Sequence, residues 1–171
     1  MKKLLIISSL ILLGFTGLYS QKYAFVDTDY ILGNIPSYKA AQEQIDKQSK
    51  EWQNEIELKF TDIEKMYNDF QAEKILLTDD LKQKRENEIR QKEKAARDLQ
   101  KKYFGPEGDL FKKREELIKP IQDEVYNAVK TIALEGNYAV IFDTSSGPSI
   151  LFSDPKYDKS DEVLQKLGYK N

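Results

Sequence analysis

The chain contains no cysteine and no histidine among its 171 residues. Without these side chains, the usual zinc sites and the Cys/His pairs of nucleophilic catalysis are excluded. The commonest general base of enzymes is missing as well. The lack of cysteine is compatible with an exported protein that needs no disulfide. We therefore expect a protein that is not an enzyme and that carries neither a cofactor nor a metal ion.

Long apolar runs are also absent, apart from one at the N-terminus. Residues 1–3 form a short basic start, residues 4–13 are apolar except for two serines, and several small or polar residues follow. This order is typical of a secretory signal peptide, and the run is shorter than the ~20 apolar residues of a membrane span. An uncleaved anchor is the alternative. We predict a signal peptide over residues 1–20 that is cleaved near Ser20.

The chain has little excess charge of either sign. Removing Lys2 and Lys3 with the signal peptide leaves 25 of the 27 basic residues against 29 acidic ones, a net charge of −4. Nucleic-acid binding needs concentrated positive charge, so a nucleic-acid partner is disfavoured.

Glycine and proline are both missing between Ser37 and Leu77, a stretch of 41 residues. As one helix it would extend about 60 Å, which is longer than a small domain can bury. Apolar residues recur every seven positions in one good row and one half-polar row, which is the pattern of a coiled coil. The rows are Ile56, Ile63, Phe70 and Leu77, and Ile45, Trp52, Lys59, Met66 and Glu73.

A second helix is predicted to return beside the first. Cap-type residues at 78–80 place the turn near residues 76–81. Residues 43–80 carry eleven acidic and five basic side chains, a net charge of −6, whereas residues 82–102 carry nine basic and four acidic ones, a net charge of +5. Opposite net charges favour antiparallel pairing of the two helices and attraction along their flanks.

The remaining residues predict a small body that this helical hairpin interrupts. Short apolar and β-branched runs predict strands at 22–27, 138–142 and 149–152, and the last two should form a hairpin. Residues 105–108, with the sequence Gly-Pro-Glu-Gly, are predicted to break the returning helix. The helical pattern resumes over 110–132, with Pro120 expected to kink it, and a short helix ends the chain. We therefore divide the mature chain into a discontinuous β-rich body, residues 21–36 plus 109–171, and a hairpin arm, residues 37–108.

Three short strands bury little apolar surface for a body of this size. We therefore expect the body to self-associate through its strands. The candidate oligomerisation residues are Phe25, Val26, Val140, Ile141, Phe142 and Leu151.

The arm carries large, adaptable apolar side chains that exceed what the facing helix, rich in Ala, Lys and Gln, can cover. Most of them should pack in the seam, and the rest would remain available to a partner such as an unfolded chain. The candidate binding residues are Trp52, Phe60, Met66, Tyr67, Phe70 and Leu77.

Two aspartate patterns allow other interpretations. Asp27-Thr28 and Asp143-Thr144 each follow an apolar run, as in aspartic proteases, but neither is followed by the glycine of that motif. Asp154, Asp158 and Asp161 lack the alternate spacing of a calcium loop. Strand-ending, turn and cap roles explain both patterns.

The basic residues of the returning helix offer a third alternative, a peripheral contact with anionic lipid or lipopolysaccharide. A solvated face that is neutralised by the acidic ascending helix explains them equally. They are Lys82, Lys84, Arg85, Arg90, Lys92, Lys94, Arg97, Lys101 and Lys102.

The order of these segments resembles the Skp/OmpH family of periplasmic chaperones, over essentially the whole mature chain. The similarity lies in the order and spacing of several weak motifs rather than in any one of them. The stretches that carry it are Tyr23-Ala24-Phe25-Val26-Asp27, Ile35-Pro36-Ser37-Tyr38, Val125-Tyr126-Asn127-Ala128-Val129, Tyr138-Ala139-Val140-Ile141-Phe142-Asp143 and Val163-Leu164-Gln165-Lys166-Leu167-Gly168.

The resemblance implies an α+β fold, in which small β bodies join into a trimeric, barrel-like core and each body carries an inserted antiparallel coiled-coil arm. It also implies a periplasmic holdase that works without ATP and encloses unfolded outer-membrane β-barrel proteins between its arms. This chain departs from the strongly basic members of the family because it is net acidic. We therefore assign no lipopolysaccharide site. A structural or adaptor coiled coil of the envelope, with one dedicated partner, is the alternative function.

Overall fold

The structure, a computed structural model, describes residues 21–145, 147 and 150–169. The predicted signal peptide lies outside the described residues. The elements are β1 (Lys22–Val26), α1 (Thr28–Gly33), α2 (Pro36–Glu73), α3 (Asp79–Phe104), α4 (Asp109–Leu117), α5 (Lys119–Gly136), β2 (Tyr138–Asp143), a short 3-10 helix (Pro155–Tyr157) and α6 (Ser160–Lys166).

The two strands form a parallel pair, although 111 residues separate them in sequence. Ala24 lies opposite Ile141 and Phe25 opposite Phe142. The prediction that 149–152 forms a strand hairpin with β2 is wrong for the part that is described, because residues 150–152 are not in a strand. Three residues of high β-propensity form a strand only where a partner pairs with them, and β2 pairs with β1 instead.

The long helix α2 spans 38 residues, which corresponds to about 57 Å. It begins at Pro36, with Ile35 as its N-cap. Proline is well suited to the first helical turn because the amide hydrogen that it lacks would have no intrahelical partner there. Ile35 is almost fully buried in the body and fixes the start of the helix.

The hairpin turns between Glu73 and Asp79, close to the predicted position. Thr78 caps α3, since its side chain accepts a hydrogen bond from the Leu81 amide. The predicted break at residues 105–108 also forms. A Cβ on Gly108 would lie 2.8 Å from two carbonyl oxygens of the last turn of α3, so this junction requires glycine.

The helical pattern after this break forms two helices rather than one kinked helix. α4 ends at Leu117, and α5 begins at Lys119 with Pro120 in its first turn. α5 then ends at Gly136, and its C-cap, Asn137, adopts the left-handed conformation with a φ of 54°. α4 packs against α2, α3 and α5 and thereby joins the hairpin to the body.

The apolar core of the body draws on both ends of the chain. β1, α1, α5 and α6 all contribute to it. Its buried residues are Val26, Ile31, Leu32, Ile35, Val125, Ala128, Ile132, Val163 and Leu164. The amide of Asp27 also donates to the hydroxyl of Ser160, 2.8 Å away. The hairpin therefore leaves the body after α1 and returns to it through α4.

Candidate functional site

The seam of the hairpin is a thin apolar stripe. Ile63 and Phe70 of α2 pack against Ile89 and Ala96 of α3, and all four are buried. Met66 and Leu77 pack partly buried against this cluster. Three of the predicted binding residues, Met66, Phe70 and Leu77, therefore contribute to the seam, and Phe70 lies fully within it.

An aromatic cluster of Trp52, Tyr103 and Phe104 joins α2 to the end of α3 at the base of the hairpin, near the body. The ring of Trp52 stacks on that of Tyr103 with centroids 4.6 Å apart, and Phe104 meets Trp52 edge-on. The Tyr103 hydroxyl donates to Glu55 of α2, 3.0 Å away. This hydrogen bond to a carboxylate raises the pKa of Tyr103 above its ordinary value. Trp52, another predicted binding residue, is thus held between the helices at their base.

Phe60 and Tyr67 stand beside the seam and remain open to solvent, with Tyr67 51% exposed. Two further aliphatic residues, Ile75 and Leu76, are 92% and 86% exposed at the tip of the hairpin. The sequence interpretation did not include these two among the binding residues. The sequence could have predicted their exposure, because Ile75 and Leu76 fall outside both seven-residue rows and the seam therefore cannot cover them.

Shallow grooves run along both sides of the seam. The larger, of about 670 Å³, has an apolar floor that includes Ile63, Ala96 and Leu99, and Asp62 and Asp69 stand on its rim. It exists because alanines of α3 face larger side chains of α2. The smaller, on the opposite side, has a volume of about 300 Å³ and is lined by Tyr67, Phe70, Gln71, Lys74, Glu86, Ile89, Arg90 and Glu93.

The predicted oligomerisation residues of the body differ in exposure. Val26 is buried in the core, whereas Phe25 and Ile141 are partly buried. Val140 and Phe142 are 47% and 45% exposed on β2, and Leu151 is 95% exposed. An apolar groove of about 360 Å³ lies beside β2, lined by Val26, Thr28, Leu32, Gln122, Val125, Tyr126, Val129, Ile141 and Asp143. The body thus presents apolar surface around β2.

The model of the OmpH-like outer membrane protein family matches residues 22–167. The chain belongs to this family. The resemblance to the Skp/OmpH family is thereby confirmed.

A solved OmpH-like relative has the same fold. It is a Caulobacter crescentus protein named as an outer membrane chaperone (OmpH-like), with a TM-score of 0.66 and 12% sequence identity. The match covers 88% of this chain and 86% of that chain. At this identity the likeness shows the fold alone. No curated protein sequence matches the chain.

In this OmpH-like chain the two Asp-Thr units have structural partners. Asp27 caps α1 by accepting from the Tyr30 amide at 2.9 Å. Asp143 accepts from the Thr28 hydroxyl at 2.7 Å and from the amide and hydroxyl of Ser145. Burial alone would raise the pKa of Asp143, but the hydrogen bonds from Thr28 and Ser145 outweigh it and hold the pKa below its usual value. This geometry favours structural roles over a shared catalytic proton.

The aspartates considered as calcium ligands also serve local structure. Asp154 accepts from Lys156, which lowers the pKa of Asp154. Asp158 accepts from Ser160 at the start of α6, and Asp161 accepts from the Tyr30 hydroxyl. In the described part of the chain, no three acidic side chains are grouped so that they could hold a metal ion.

Most ion pairs of the hairpin join residues of the same helix. Within the described residues, Arg85–Glu73, at 4.0 Å, is the one ion pair that joins α2 to α3. Lys82 and Arg97 pair with acidic residues of their own helix. The attraction expected along the flanks is thus limited to a single ion pair. Among the helices that the structure describes, none is both long enough and apolar enough to cross a membrane.

Proposed function

We propose that this protein is a periplasmic holdase chaperone that binds unfolded outer-membrane β-barrel proteins without ATP and keeps them from aggregating. Membership of the OmpH-like family supports a chaperone role. The mature chain begins after residues 1–20 are removed as a signal peptide. Its arm, residues 37–108, grips the client, and its body, residues 21–36 plus 109–171, gathers three chains into a homotrimer.

The observation that carries the proposal is apolar surface left open along an arm of about 57 Å. Phe60 and Tyr67 are exposed beside the seam, and Met66 borders its larger groove. Separate, weak apolar contacts suit an unfolded chain, which offers apolar side chains in no fixed geometry. Trp52, Phe70 and Leu77 shape this surface from within the hairpin.

The body supports the trimer because its apolar surface around β2 is uncovered in one copy. Phe25, Val140, Ile141, Phe142 and Leu151 would be shared between copies in a barrel-like core. Burying them would add apolar area to a body whose own core is small. Three arms that leave such a core would enclose a cavity for the client.

Light scattering of a denatured β-barrel outer-membrane protein diluted with the chaperone tests the holdase function. We expect suppression of aggregation without ATP, and weaker suppression by the Phe60→Ser/Tyr67→Ser variant. Leu58→Ser is the matched control, because Leu58 is an exposed apolar residue of α2 on the side away from the seam. Aggregation unaffected by the unmodified protein contradicts the proposal.

An adaptor with one dedicated partner is the second candidate, and the exposed pair Ile75 and Leu76 at the tip favours it. A compact apolar tip suits docking into a single folded protein. Pull-down from an envelope extract separates the two functions. One stoichiometric folded partner that is lost in Ile75→Ser/Leu76→Ser supports the adaptor, whereas many outer-membrane proteins support the holdase.

A further inference from the structure

The arm has a row of unpaired acidic residues on α2 and a row of unpaired basic residues on α3. Glu57 and Glu64 are exposed seven residues apart, and so are Lys94 and Lys101. Other charges of the arm do have a partner, such as Arg97 with Glu93 at 2.6 Å and Lys82 with Asp79 at 3.1 Å. Across the described residues, no ion pair within 4 Å involves any side chain of the two rows.

Both rows lie toward the same side of the hairpin. Gln71 and Arg90 line the smaller groove together. Seven residues are nearly two helical turns, so Glu64 and Glu57 continue the Gln71 row along α2. Lys94 follows Arg90 by about one turn, and Lys101 follows Lys94 by two, so these lysines lie on the outer edge of α3. The acidic row thus borders one long edge of the arm, and the basic row borders the other.

The two rows also match in height along the arm. Glu73 lies level with Arg85, and Glu55 lies level with Tyr103. From Glu73 back to Glu55 on α2 is 18 residues, and from Arg85 on to Tyr103 on α3 is also 18 residues. Moving one residue back along α2 therefore corresponds in height to moving one residue forward along α3. By this rule residue 64 lies level with residue 94, and residue 57 lies level with residue 101. Each acidic residue therefore stands at the height of one basic residue.

The rows cannot meet within one arm, because the seam lies between them. In copies related by rotation about an axis parallel to the arms, heights are preserved, and one edge of each arm faces the opposite edge of the next. We propose that the arms of neighbouring copies associate laterally, with Glu57 and Glu64 of one copy against the partner's Lys101 and the partner's Lys94. The contact is heterologous, and under the threefold rotation of the proposed trimer it closes a ring of arms around the cavity. This inference rests on the proposed self-assembly.

The contact makes closure of the arms dependent on salt. Exposed charges at the edges of two arms attract over a Debye length, which is about 20 Å at 0.02 M salt and about 4 Å at 0.5 M. Low salt therefore holds the arms side by side, and high salt releases them. A client would have to separate the arms in order to enter.

Distances between spin labels at the arm tips test this contact in the assembled full chain. The chain has no cysteine, so Ala72→Cys, at an exposed position near the end of α2, gives one label per copy. We expect the mean distance between copies to rise between 0.02 M and 0.5 M salt by at least one helix diameter, about 10 Å. Glu57→Lys/Glu64→Lys should give the long distance at both salt concentrations.

Adding Lys94→Glu and Lys101→Glu to that variant should restore the short distance at low salt. Asp62→Lys/Asp69→Lys is the matched control, because these residues border the larger groove, on the other side of the hairpin, and change the net charge equally. This control should keep the short distance. The arm contact alone is overturned if the oligomer is stable but the distance between labels does not change with salt concentration. It is also overturned if the control variant shows the long distance. A monomer at all salt concentrations overturns both the contact and the oligomeric holdase.

Discussion

At the scale of single residues, Asp143 joins the two ends of the chain. It ends β2, and its carboxylate accepts hydrogen bonds from the amide and hydroxyl of Thr28, at the start of α1. Ser145 donates to the same carboxylate and lies 2.7 Å from the Thr28 hydroxyl. These bonds fix the start of α1 against the end of β2.

We predict that Asp143→Asn destabilises the body by about 1.5–3 kcal/mol at pH 7, the value of hydrogen bonds to a charged group. Because the folded-state pKa of Asp143 is lowered, its carboxylate stabilises the fold above the ordinary carboxyl pKa. That contribution is lost as pH falls through the folded-state pKa. Urea unfolding at fixed protein concentration should show a clear difference from the unmodified protein at pH 7, and this difference should shrink as the pH is lowered below the ordinary carboxyl pKa.

Asp154→Asn provides the control for this effect, since Asp154 is an aspartate at the surface with Lys156 as its ion-pair partner. Its removal should change the unfolding midpoint much less, because solvent screens such a pair. An equal loss from both variants at pH 7 would show that the Asp143 network does not stabilise the fold.

At the scale of elements, the hairpin depends on few apolar contacts. Ile63, Phe70, Ile89 and Ala96 are its buried cluster, and one ion pair links α2 to α3 within the described residues. The body, in contrast, has a buried cluster drawn from four elements, β1, α1, α5 and α6. The distal part of the hairpin should therefore open more readily than the body.

Phe70→Ala should cost about 3 kcal/mol or more within the hairpin, as large-to-small substitutions in a core do. Hydrogen–deuterium exchange should accelerate at the amides of α2 and α3 near the tip and remain unchanged in β1 and β2. Tyr67→Ala, at an exposed position three residues before Phe70, should leave the exchange rates nearly unaltered. Faster exchange in the strands as well would mean that arm and body unfold as one unit.

At the scale of the whole molecule, the surface around β2 has apolar residues that one copy does not cover. Phe142 stacks on Phe25 with ring centroids 5.7 Å apart, so it also contributes to the pairing of the strands. Val140 is 47% exposed and is not part of this stacked pair. It is therefore the position at which a charge should disturb assembly with the least damage to the fold of one copy.

We predict that Val140→Lys converts the proposed trimer to a monomer, because three lysines would be forced into an apolar interface. Gel filtration with light scattering should show the mass falling about threefold, and circular dichroism should show that the helices remain. Leu58→Lys, on an exposed face of α2, should leave the mass unchanged. If the variant remains trimeric, β2 is not part of the interface between copies.

The sequence alone determined the features that depend on local periodicity. The seven-residue spacing from Ile56 to Phe70 predicted a long helix with a seam, and the absence of glycine and proline predicted its length to within a few residues. The glycines at 105 and 108 predicted the break. Such signals are readable because helical backbone bonds and side-chain rows involve residues only a few positions apart.

The tertiary structure alone decided which distant segments pair. Residues 150–152 have the composition of a strand yet form none, because β2 pairs with β1, which the hairpin separates from it by more than a hundred residues. Strand pairing depends on which partner the rest of the fold brings close. Packing likewise decided that Phe70 is buried while Tyr67, three residues earlier, is exposed, because α3 covers only one stripe of α2.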